Sequence, residues 1–165
     1  MKSFTTTDIR PFMVGLLNDK LFSGWHMREA ELNLMTHIEI DGRINQDYLT
    51  DEEKQQLPDP FITWDEIQPR IKGLIQGGHT PTMMNIVLAM DPARVKDMPA
   101  ESVGSLQLNI RYETVPSESG PRTQRLTLVT ATSMKTFSLD KTPERIWDDA
   151  VPKFFKAHGI ALQEN

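Results

Sequence analysis

Cysteine is absent from the 165 residues, which removes disulfide scaffolds, thiolate metal sites and cysteine nucleophiles. No apolar run approaches the roughly 20 residues that span a bilayer. The opening Met1-Lys2-Ser3-Phe4-Thr5-Thr6-Thr7-Asp8 has no apolar h-region of a secretory signal, so a cytoplasmic chain without a membrane segment is expected. His-Glu-x-x-His and Gly-x-Ser-x-Gly do not occur, and Ser133-Met134-Lys135 lacks Ser-x-x-Lys spacing. Gly77-Gly78-His79-Thr80 lacks the Gly-Lys-Ser/Thr ending of a phosphate loop and reads as a helix stop. The histidines His26, His37, His79 and His158 are too scattered for a metal-binding spacing, so no metal and no cofactor are expected.

What is present suits one globular domain over residues 1–165, with 38% hydrophobic and 25% charged residues and a net charge of −5. The negative charge lies in the first half: residues 1–82 hold 8 Lys and Arg against 13 Asp and Glu, whereas 83–165 hold 10 of each. Asp47, Asp51, Glu52, Glu53 and Asp59 surround Lys54 alone and read as a solvated acidic loop that disfavours duplex nucleic acid.

Helical spacing marks three main helices. Ile9, Phe12, Met13, Leu16 and Leu17 form one stripe, for which Asp8 is the N-cap and Pro11 the third helical residue, where no intrahelical bond is lost. Thr63-Trp64-Asp65-Glu66 has capping-box spacing before Ile67, Ile71, Leu74 and Ile75. Pro69 then predicts a kink, or a new helix beginning near 66–68. Thr142-Pro143 opens a last helix with Ile146, Trp147, Ala150, Val151, Phe154 and Phe155 on one face, and Pro152 predicts a bend. A short helical turn follows Asp91-Pro92.

Two-residue alternation predicts one long strand over 29–41, with Ala30, Leu32, Leu34, Thr36, Ile38 and Ile40 on one side and Glu31, Asn33, Met35, His37, Glu39 and Asp41 on the other. Leu106, Leu108, Ile110 and Tyr112 alternate with Gln107, Asn109, Arg111 and Glu113. Residues 83–90, apolar almost throughout, read as a central strand covered on both faces, with further strands at 122–132, 134–139 and 21–28. The turn cluster 115–121 joins two antiparallel neighbours, and Asp41-Gly42 is a second turn. Successive late strands imply an α+β fold: an antiparallel sheet of about five or six strands with three main helices. A helix-grip arrangement, in which a curved sheet wraps the final helix, is the specific architecture to test.

Thr7-Asp8-Ile9, Ile40-Asp41-Gly42-Arg43-Ile44-Asn45, Trp64-x-x-x-x-Pro69, Leu108-Asn109-Ile110-Arg111-Tyr112-Glu113 and Thr132-Ser133-Met134-Lys135-Thr136-Phe137-Ser138-Leu139-Asp140-Lys141 run in order along nearly the whole chain. In these blocks the sequence resembles a family of small uncharacterised bacterial proteins, a domain of unknown function. The resemblance implies a bacterial, cytoplasmic protein and supplies no activity and no site residues.

The candidate polar set is Asp41, Arg43 and Asn45 after the long strand, Asn109, Arg111 and Glu113 on one strand face, and Arg125 and Lys135 beyond. Neighbouring strands would align several of these as an anion site, although Arg111 with Glu113 equally makes a surface ion pair. Trp64 and Trp147 read as core anchors and Trp25 as partly exposed. The chain is therefore expected to be a non-catalytic domain binding a small molecule or protein. The rival is an enzyme acting on a small anionic substrate through Asp41, Arg43, Asn109, Arg111 and Lys135, and a third reading is single-stranded nucleic-acid binding through the later strands.

Overall fold

The computed structural model describes residues 1–76 and 80–165, so the helix stop read at Gly77-Gly78 and the residue His79 lie outside the described residues. Its strands are β1 (Ser3–Thr5), β2 (His26–Asn33), β3 (His37–Asp41), β4 (Met83–Met90), β5 (Val103–Ser117), β6 (Gly120–Met134) and β7 (Gln163–Glu164). They form one antiparallel sheet in the order β3-β2-β4-β5-β6-β1-β7. The helices are α1 (Ile9–Leu17), α2 (Asp51–Gln56), α3 (Trp64–Ile75) and α4 (Thr142–Ala157). This is the expected α+β fold with a somewhat larger sheet: β1 and β7, at three and two residues, are too short to show a period.

The predicted strand 29–41 is a hairpin. The chain reverses at Leu34-Met35-Thr36, where Leu34 N–H donates to the Thr36 carbonyl at 3.0 Å. None of these three is a customary turn former, which hides the reversal in the sequence. The two faces survive because the register joins residues of equal parity: Glu29 with Asp41, Ala30 with Ile40, Glu31 with Glu39, Leu32 with Ile38 and Asn33 with His37. Thr36 is exposed in the turn, while Leu34, also in the turn, still packs against the edge of the core. The segment 21–24 is a turn closed by Gly24 at φ 78°, so the strand expected at 21–28 begins only at His26. Residues 135–139 are not a strand, because beyond the Met134–Val103 pair β6 has no register partner on β5. Phe137 there is 91% exposed.

Asp8 occupies the α1 cap position without a side-chain cap bond; its carboxylate accepts the Ala161 N–H at 3.0 Å. The Thr63 hydroxyl likewise donates to Glu66 at 2.9 Å in place of the expected backbone cap. The last helix starts one residue early, with Lys141 at the cap and the Asp140 carboxylate accepting from Thr142 N–H at 2.9 Å. Both internal prolines are passed without a break in the assigned helix. Pro69 removes an intrahelical donor and does not start a new helix. Buried Trp64, Ile67 and Ile71 hold the turns on either side of it. The expected helical turn after Asp91 is one turn of 3₁₀ helix, Pro92–Arg94.

The acidic loop contains a helix, α2. Thr50 and Glu53 form a reciprocal capping box, and Asp51, Glu52 and Glu53 fill the first turn, where the helix dipole favours negative charge.

Helices α1, α3 and α4 share one face of the sheet, so no single helix is wrapped by it. Ala30, Leu32, Met84, Ile86, Leu88, Leu106, Leu108, Ile110, Leu126 and Leu128 meet Phe12, Leu16, Ile71, Val151 and Phe155 there. An aromatic cluster is central: Phe12 stacks on Phe155 at 5.4 Å, and Phe22 meets Trp25 edge-on at 5.2 Å. Trp25 is 1% exposed, contrary to its expected partial exposure, because the turn before β2 folds it onto Trp147 at 5.9 Å. Trp64 Nε1 donates to the Leu16 carbonyl at 3.0 Å and Trp147 Nε1 to the Gln107 carbonyl at 2.8 Å, so each indole anchors a helix while its polar atom is satisfied.

Candidate functional site

The three packed helices leave the other face of the sheet uncovered, so β4 is not covered on both faces as its apolar run suggests: Met84, Ile86 and Leu88 enter the core, while Asn85 and Val87 line the open side. Antiparallel register aligns its outward side chains in rows: Glu39, Glu31, Asn85, Arg111 and Thr127 in one, and Asp41, Glu29, Val87, Asn109 and Val129 in the next. Over these rows lies a concavity of about 870 Å³. Its wall is Glu29, Glu31, Glu39 and Asp41, and its floor is Asn85, Val87, Gln107, Asn109, Val129 and Ala131. The size is within the range of small-molecule sites.

The rim is made by a bulge. Register shifts between Met27 and Glu29, and Arg28 at that step reaches Asp59 at 3.2 and 3.4 Å while its guanidinium sits 3.9 Å over the Phe61 ring. His26 Nδ1 lies 3.8 Å from the same carboxylate. Arg43 stands 5.7 Å from Phe61 and makes no ion pair among the described residues. Gly42 lets the chain pass this point: a β-carbon there would lie 1.9 Å from the Met27 carbonyl oxygen. The Asp41-Gly42 turn signal thus reflects close backbone approach. Asp41 braces the turn by accepting the Arg43 N–H at 2.9 Å.

The trough is acidic. Four carboxylates face two guanidinium groups, of which Arg28 is already neutralised by Asp59; Met1 also lines the trough, its ammonium paired with Glu144 and Asp148. The carboxylates stand in two directly opposed pairs, Glu29 with Asp41 and Glu31 with Glu39, an arrangement that repels. At the far end His37 Nε2 lies 3.0 Å from Glu39 and 3.6 Å from Glu31, and Nδ1 contacts Asn33 Oδ1. The ligand atoms of Glu31, His37 and Glu39 lie within 4.8 Å of one another, so this trio could hold a divalent cation. No linear metal motif shows it, because its members come from two strands of a hairpin. The Asn85 and Asn109 carboxamides have no hydrogen-bond partner among the described residues and are half-buried in the floor.

Of the residues singled out in the sequence, Asp41, Arg43 and Asn109 line this one concavity. Arg111 and Glu113 share the face outside the lining and are paired at 3.3 Å, with Arg125 3.6 Å from the same Glu113. Exposed pairs of this kind contribute at most about 1 kcal/mol. Asn45 is elsewhere, its side chain accepting the Asp47 N–H at 3.1 Å. Lys135 donates to the Ala100 carbonyl at 3.3 Å and borders a second pocket of about 230 Å³ with His26, Asp59 and Ser105. The set proposed for the rival enzyme therefore does not converge. Missing from it are Glu29, Glu31, Glu39, Asn85 and Gln107. Their signal in the sequence is the density of carboxylates on the polar side of 29–41, which also fits a solvated face.

No helix among the described residues is long and apolar enough to cross a membrane. The chain matches none of the curated proteins and none of the solved structures with which it was compared. One family model matches residues 15–163, nearly the whole chain, and its blocks carry no assigned activity; the chain belongs to that family of unknown function, DUF5721.

Proposed function

We propose that this chain is a non-catalytic binding domain, working in a bacterial cytoplasm, whose uncovered sheet face receives a small polar molecule. The observation that carries this is the 870 Å³ concavity on a face that three helices leave free, with the amides of Asn85 and Asn109, unpartnered among the described residues, in its floor. Half-buried amide groups in the floor of a hollow are what a polar ligand pairs with. Asp41, Arg43 and Asn109 are its contact residues, and Arg111 with Glu113 bounds it. An anionic substrate or a phosphate backbone is disfavoured by the carboxylate wall, which repels both.

The test is a fragment screen read by amide NMR shifts, using small polar fragments of positive, negative and zero charge. Hits that cluster on Asn85, Val87 and Asn109 support the reading. Hits confined to the helical face, or none at all, refute it.

A further inference from the structure

Resting on that reading, we infer that the trough selects a flexible organic cation of the diamine or polyamine class. Three observations point the same way. The wall sets Glu31 opposite Glu39 and Glu29 opposite Asp41, two neighbouring pairs of like charge on one face of an edge hairpin. Such pairs weaken a hairpin, and a cation seated between the strands converts their repulsion into attraction. The positive groups around the trough do not cancel the wall: Arg28 is committed to Asp59 and to the face of Phe61, and the Met1 ammonium to Glu144 and Asp148, which leaves Arg43, and the His37 ring at the far end beside Glu31 and Glu39, against four carboxylates.

The third observation is shape. Away from the wall the floor turns apolar at Val87, Val129 and Ala131, with the amide oxygens of Gln107 and Asn109 between them. From β2 to β6 is three strand spacings, roughly 14 Å. A chain of methylenes fits the apolar strip, one ammonium donating to the carboxylates and another to the amide oxygens. A bare divalent ion would engage Glu31, His37 and Glu39 at the edge and leave the floor empty. An anion would meet the wall's repulsion.

The experiment titrates the full chain with spermidine, citrate, maltose and zinc chloride, read by amide NMR shifts and calorimetry. Spermidine is expected to shift Glu29, Glu31, Asn85 and Asn109, and its affinity to fall several-fold as salt rises from about 50 to about 200 mM. Replacing both opposed glutamates, E31Q/E39Q, weakens it about tenfold, since two charges facing the ammonium are lost. The control D51N/E52Q on α2 leaves it unchanged. Citrate or maltose shifting the trough while spermidine does not would overturn the cation assignment and leave the binding face standing. Silence from every probe would remove both. An unchanged affinity in E31Q/E39Q, an equal loss in the α2 control, or a response to zinc alone at Glu31, His37 and Glu39 would each overturn the inference. The salt dependence is measured on the unaltered chain, so the proposal stays testable if a variant folds poorly.

Discussion

Glu31 and Glu39 are direct register partners across the β2–β3 hairpin, with His37 Nε2 between them at 3.6 and 3.0 Å. Opposed carboxylates are a stability cost retained at the edge of a sheet, where a polar or β-branched pair would serve the hairpin better. The free protein should therefore become more stable when they are neutralised. E31Q/E39Q is expected to raise the thermal midpoint by about 2 °C at low salt, equivalent to roughly 0.5 kcal/mol. The gain should shrink at high salt, where the repulsion is screened. Calorimetry at two salt concentrations checks this, and a lower midpoint at both would show that the pair contributes stability.

Gly42 is the position where the chain leaves β3 against the β2 bulge, its N–H donating to the Arg28 carbonyl at 2.9 Å and its carbonyl accepting from Ile62 N–H at 2.8 Å. Gly42→Ala drives a methyl group into the Met27 carbonyl. Backbone cannot swing aside as a side-chain tip can, so a loss of about 2 kcal/mol or more is expected. Denaturant unfolding measures it. NMR shifts at Arg28, Asp41 and Phe61 should accompany it, because the displaced strand carries the rim of the trough.

Tyr112 is buried with a hydroxyl that has no hydrogen-bond partner among the described residues, and burial raises its phenol above the ordinary value. Its neutral form is favoured in the folded chain. Stability from this source is therefore complete below about pH 10, the unfolded value, and declines as pH rises toward the folded one. Tyr112→Phe should leave neutral-pH stability unchanged or raise it by up to about 1 kcal/mol, since no bond is lost. It should also flatten the decline above pH 10. A loss of 2 kcal/mol or more at neutral pH, measured by denaturant unfolding, would show that the hydroxyl is bonded after all.

Trp147 is predicted to join the helical layer to the trough. Its Nε1 donates to the carbonyl of Gln107, whose side chain lines the floor on the opposite face. Trp147→Phe removes that bond and part of a buried ring, at an expected cost of about 2 kcal/mol. Urea unfolding gives the cost, and NMR shifts at Gln107 and Ala131 test the link across the sheet.

The helices were legible because their signals are local. The Ile9, Phe12, Leu16 stripe and the Ile146 to Phe155 stripe each declare a buried face within a few turns, and Asp8 and Pro143 mark starts to within a residue. The Thr50-x-x-Glu53 box is equally local, but it lies in a run of carboxylates that also fits a solvated loop. The turn at Leu34-Met35-Thr36 was not legible, since residues of ordinary strand propensity are reversed there by pairing further along. Asp41 and Asn109 are legible as polar residues on strands, and Arg43 as a polar residue just after one. Glu31 and Glu39, on the same polar face, gain their meaning only from standing opposite each other.

The sequence by itself determined which side of 29–41 and of 106–113 is apolar, since a period of two depends only on neighbours along the chain. It also determined that the fold is α+β and that the negative charge lies in the first half. Tertiary structure decided which strands are adjacent, which face the helices cover and which carboxylates confront one another. Those outcomes depend on register between segments up to a hundred and more residues apart, as in Phe4 against Leu128. Register is set by how the whole apolar face packs at once, which no local pattern records.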